Sequence, residues 1–153
     1  MAKQDTKELI KFLKAFPEDI QQNALWLREF VWDLYPKSNE LIYDNYNALA
    51  VGWSPTNKSS DAFCTFAVYG GGINFGFNRG SEIKDPKKIL AGNGKLYRYL
   101  KVLDVTEFPK SYIKRLLKEA YVNSKARLKK DKTILKGKTI VKMTLEKKRR
   151  PIL

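Results

Sequence analysis

Histidine is absent from this chain and cysteine occurs once, at Cys64, so the side chains that many catalytic and metal sites draw on are missing. Without histidine, neither a Ser-His-Asp triad nor a Cys-His pair can be assembled. A single thiol forbids an internal disulfide, and zinc is left without its usual imidazole and thiolate ligands. Long apolar runs are lacking too: no stretch reaches the roughly 20 residues that span a bilayer, so no membrane partner is expected. The opening residues, Met1-Ala2-Lys3-Gln4-Asp5, lead into a charged amphipathic segment and not into the apolar core of a signal peptide. That composition points to a cytoplasmic protein.

Carboxylates are also in short supply, with 16 Asp and Glu against 30 Lys and Arg and a net charge of +14. The excess is uneven. From Lys129 onward there are ten basic and two acidic residues, a net +8, which leaves +6 for the first 128 residues. This divides the chain into an expected domain over 1–128 and a basic tail over 129–153, either a solvated tail or one that meets a polyanion. What is plentiful is apolar: 43% hydrophobic content with 12% aromatics in 153 residues suffices for one packed core.

Asp5 with Glu8 three residues on has the form of a capping box, and Leu9, Phe12, Leu13 and Phe16 follow at helical spacing. Pro17, Glu18 and Asp19 suit the first turn of a second helix, whose apolar stripe is Ile20, Ala24, Leu27, Val31 and Leu34. Pro36 stops it. Asn39 to Tyr43 reads as a single helical turn. Ala48 to Ser54 and Ala62 to Tyr69 read as strands, and Ile73, Phe75 and Phe77 alternate with Asn74, Gly76 and Asn78 in the clearest period-two pattern present. Asp85-Pro86 is expected to open one helical turn through Leu90. Tyr97 to Leu103 resumes as a strand, and Pro109 introduces a long amphipathic helix ending near Leu128. Thr139 to Leu145 has weak strand character and either pairs with a sheet edge or stays unpaired. The fold class predicted is α+β, a two-layer sandwich: an antiparallel β-meander packed by two N-terminal helices and a long C-terminal helix.

Two polar groupings stand out. Asp44, Tyr46 and Asn47 lie beside a buried strand, where they either knit a corner or line a cleft. Arg98 falls on the same strand face as Leu100 and Val102, so its guanidinium should sit at the core margin and need a carboxylate, with Asp85, Asp44 and Asp61 as candidates. Alternatively Arg98, with Arg79 or Lys95, holds a bound carboxylate or phosphate. Gly92-Asn93-Gly94-Lys95 fails as a Walker loop, because Ile89 stands where glycine is required and Leu96 where Ser or Thr would hold magnesium. No nucleotide or other cofactor is expected.

Tyr43 to Leu49, Gly52, Ser54-Pro55-Thr56, Ser60-Asp61-Ala62, Gly80, Asp85-Pro86, Leu90, Gly92, Gly94 and Arg98 together resemble the YdhG-like family of small bacterial proteins, domain of unknown function 1801. The similarity covers about Phe16 to Val122. It implies a two-layer α+β fold and, through a relative described as frataxin-like, an intracellular iron chaperone as one alternative. Iron would want clustered oxygen ligands, and the Asp and Glu here are scattered, so no metal site is assigned.

The expected function is a non-enzymatic binding or chaperone-type module taking an anionic ligand at Asp44, Tyr46, Asn47, Asp61, Asp85 and Arg98. The alternative is nucleic-acid binding through Lys147, Lys148, Arg149 and Arg150, which would weaken steeply with salt. An enzyme with Asp44 or Asp61 as general base has the least support, since no catalytic motif accompanies either residue.

Overall fold

The computed structural model describes residues 6–45, 47–128 and 136–144. Asp5, Tyr46, Lys147, Lys148, Arg149 and Arg150 lie outside the described residues. Helix α1 spans Thr6–Leu13 and α2 spans Glu18–Leu34, with Pro17 at the cap, where a missing N–H costs nothing. Leu9, Leu13, Ala24, Leu27 and Val31 are fully buried, as the helical spacing predicts, but Leu34 at the end of the expected stripe is 37% exposed, and Trp32, outside that stripe, is fully buried.

Beyond α2 the structure departs from that reading. Asn39–Asp44 is not a helical turn but the first strand, β1, antiparallel to β2 (Leu49–Ser54). Its signal was hidden because both faces are covered: Leu41 on one side and Glu40 and Ile42 on the other are all inaccessible to solvent, so no polar alternation marks it.

Strands β3 (Cys64–Tyr69), β4 (Gly72–Phe77) and β5 (Arg98–Val102) follow, each antiparallel to the strand before it. Helix α3 spans Lys110–Ala126, and β6 (Thr139–Thr144) then returns to pair with β1 in parallel. The strand order is β5-β4-β3-β2-β1-β6. Among the described residues the fold is α+β, with three helices and a six-stranded sheet. That sheet is mixed, where an antiparallel one was expected. The weak strand has specific anchors: Asn39 Oδ1 accepts from the N–H groups of Lys136 and Lys138, and Thr139 Oγ1 donates to Glu40 at 2.7 Å.

One sheet face supplies the core. Ile42, Val51, Phe66 and Phe75 lie in register across four strands and are fully buried together with residues of all three helices. Burying a side chain of this size is worth about 1.5 to 3 kcal/mol, so these positions set the fold before any polar contact is considered. Cys64 belongs to this core, and burial pushes its thiol well above the ordinary range, which fits a packing role and not a reactive one. A charged pair is buried as well. Arg28 of α2 donates through Nε and Nη2 to the two oxygens of Glu40, at 2.7 and 3.0 Å.

Candidate functional site

Strand β4 ends at Phe77, and the chain turns through Arg79 into a short 3-10 turn at Gly80–Glu82 that lies against the start of β5. Only glycine admits that approach: a Cβ on Gly80 would stand 2.5 Å from Arg98 Cβ and 3.0 Å from the Arg98 nitrogen. Ser81 then ties the turn to the segment before β5. Its N–H donates to Leu96 O at 2.9 Å and its hydroxyl to Lys95 O at 3.0 Å.

The next segment is organised by a carboxylate. Asp85 and Pro86 do not open a helical turn. They form a tight turn closed by Lys88 N–H on Asp85 O, with Lys88 at φ 54°. Asp85 sustains this left-handed residue by accepting from Ile89 N–H, from Leu90 N–H at 2.9 Å and from the Tyr112 hydroxyl of α3. Burial pushes the Asp85 carboxyl up, but the hydrogen bonds from Tyr112 and from the main chain of Leu90, Ile89 and Lys88 outweigh it, leaving the carboxyl below its ordinary value. Asp85 therefore stays ionised at neutral pH.

Arg98 opens β5 on the core face, where alternation predicts it. Its partners differ from those expected. Nη1 donates to Gly94 O at 2.7 Å and Tyr97 O at 2.8 Å, and among the described residues no carboxylate forms an ion pair with it. The glycine loop is thus an arginine-clamped reversal. Gly80, Ser81, Ile83, Asp85, Leu90 and Arg98 line one open hollow of about 300 Å³.

Beside it, Arg79 and Glu82 pair through two bonds of 2.9 and 2.6 Å, with Arg127, at the C-terminal cap of α3, at 4.0 Å. Desolvation and the neighbouring Arg79 lower the Arg127 guanidinium, against the pull of Glu82 and Asp61. The space there is about 10 Å³, room for one water and no ligand.

Asp85 and Arg98 are therefore brought together. Asp61 lies toward the same end of the sheet but is engaged locally: its carboxylate accepts from Thr56 Oγ1 at 2.8 Å and its main-chain oxygen from Ser124 of α3 at 2.6 Å. Asp44 ends β1 at the far end, in register with Leu49 and, through it, Val68. It is separated from Arg98 by about 13 Å along the strands and about 19 Å across them. Asn47 is exposed in the turn between β1 and β2. Asp44 and Asp61 lie at opposite ends of the β2–β3 pair, so no carboxylate dyad forms. Ser81, Ile83 and Tyr112 were not anticipated, and no local motif announces them.

Among the described residues, no three of His, Cys, Asp and Glu gather in a way that could hold a metal ion. No helix of the described residues is long and apolar enough to cross a membrane. No family model, curated protein or solved structure matches the chain.

Proposed function

We propose that this chain is a non-enzymatic binding module of YdhG-like type, working in the cytoplasm, whose ligand is a small anion seated at Arg98. The observation that carries the reading is the state of that guanidinium. One nitrogen is fixed by two main-chain carbonyls, no carboxylate among the described residues neutralises the charge, and the side chain lines an open hollow. An arginine oriented in this way presents its remaining donors to carboxylate or phosphate at little further entropic cost.

The same proposal takes the architecture as two layers with the helices over one sheet face. Its support is the pattern of burial: Cys64, Phe66 and Val68 are buried with the helices, whereas Thr65, Ala67 and Tyr69 between them are half-exposed.

Thermal shift with phosphate, sulfate, acetate and citrate, against chloride at equal ionic strength, tests the function. At least one of these anions should raise Tm in the native protein and fail to do so in Arg98→Gln. If none does, or if Arg98→Gln responds like the native protein, the reading falls. A second reading, nucleic-acid binding, is favoured by the net charge of +14 and its concentration after Lys129. It requires binding to a single-stranded oligonucleotide that weakens steeply with salt and is lost on deleting residues 145–153.

A further inference from the structure

We infer that the hollow at β5 takes an α-amino acid, with Arg98 receiving its carboxylate and Asp85 its ammonium. This rests on the anion-binding reading above and adds the second charge. Arg98 and Asp85 line the same hollow, yet they do not pair with each other. Two opposite charges kept apart around one open space complement a ligand that carries both. A simple anion would leave the carboxylate as a repulsive wall.

The remaining lining agrees. Three donors, the Tyr112 hydroxyl and the N–H groups of Ile89 and Leu90, make hydrogen bonds to the Asp85 carboxylate, and what it offers an ammonium is its negative charge. Those same three donors hold the carboxylate in place, so it is positioned before a ligand arrives. The Ser81 hydroxyl is committed as a donor to Lys95 O and can still accept. Ile83 and Leu90 give the hollow an apolar side against which an aliphatic side chain can lie. The volume of about 300 Å³ is at the small end of ligand pockets, which suits a metabolite of amino-acid size.

The test compares each ligand with versions carrying one charge only. Glycine, leucine and glutamate are titrated into the protein by calorimetry, beside N-acetyl-leucine, which has lost the cation, and leucinamide, which has lost the anion. One of the three amino acids should bind at least tenfold more tightly than both blocked forms. Asp85→Asn should reduce that preference to within about threefold.

Equal binding of leucine and N-acetyl-leucine would overturn the inference while leaving an anion site at Arg98. Equal binding of leucine and leucinamide would overturn it from the other side, as would unchanged discrimination in Asp85→Asn. If that variant does not fold, the comparison of native titrations decides alone. Binding of phosphate or acetate with no amino acid bound sinks the amino-acid assignment only, whereas binding of none of these probes removes the anion-binding reading as well.

Discussion

Arg28 and Arg98 are the same side chain in two opposite situations. Arg28 is 4% exposed and meets Glu40 through two parallel hydrogen bonds, stacked over Trp32 at 5.0 Å, while Thr139 completes the carboxylate from β6. Arg98 is half-exposed, fastened by carbonyls, and has no carboxylate partner among the described residues. The first arrangement joins a helix, a central strand and the returning chain, and the partner set around Glu40 leaves little for a ligand to add. The second holds a cation in place without neutralising it. Completeness of the partner set, not the residue type, separates a brace from a receptor.

The sharpest way to break this comparison is at the brace. Glu40→Gln leaves Arg28 buried beside a neutral amide, and removing one member of such a pair costs about 3 to 5 kcal/mol. Urea denaturation should show a loss of that size. The double variant Arg28→Met/Glu40→Met should recover much of it, because no buried charge then remains unpaired. A loss under about 1 kcal/mol for Glu40→Gln would mean that the pair is a solvated contact like any surface bridge.

A second effect, next in size, comes from the neighbour of Arg98. Gly76 leaves room for the Tyr97 ring, whose hydroxyl comes against it, and burial, with lesser contributions from Cys64 and Tyr99, pushes the Tyr97 phenol up to about 12. An unfolded tyrosine ionises near 10. Between these values the unfolded chain has released a proton that the folded chain keeps, so stability falls as pH rises, by about 1.4 kcal/mol per unit. The raised thiol of Cys64 acts in the same direction from the ordinary thiol range upward. Tyr97→Phe isolates the tyrosine: from pH 10 to 12 it should lose about 2 kcal/mol less than the native protein. Parallel pH profiles would place the Tyr97 hydroxyl in solvent and the start of β5 in a wetter setting than its burial implies.

Much of the framework was legible before the structure. The alternation of Ile73, Phe75 and Phe77 gave β4, helical spacing gave all three helices, and period two placed Arg98 on the face of Leu100 and Val102. Strand β1 was not legible, because burial on both faces removes the polar beat that marks a strand. Its misreading also misplaced Asp44: with a hairpin from Asn39 to Ser54, that carboxylate is carried to the end of the sheet away from Arg98. The site was half legible. Asp85 and Arg98 were named as candidates for pairing, but what makes their hollow is contact at longer range. Ser81 reaches Lys95 across 14 positions and Tyr112 reaches Asp85 across 27, and neither spacing belongs to a helix, strand or turn period.

The smallest expected effect separates the two arginines most cleanly. Arg98→Gln removes two hydrogen bonds to main-chain carbonyls at a half-exposed position and leaves no buried charge behind, so it should cost about 1 kcal/mol, a fraction of the loss at Glu40. The variant should therefore fold, with circular dichroism and urea m-value unchanged, and be silent only toward ligand. If Arg98→Gln instead destabilises as strongly as Glu40→Gln, Arg98 is a second brace: the clamp on Gly94 and Tyr97 is then its whole purpose, and the hollow beside it is a by-product of the turn at Gly80.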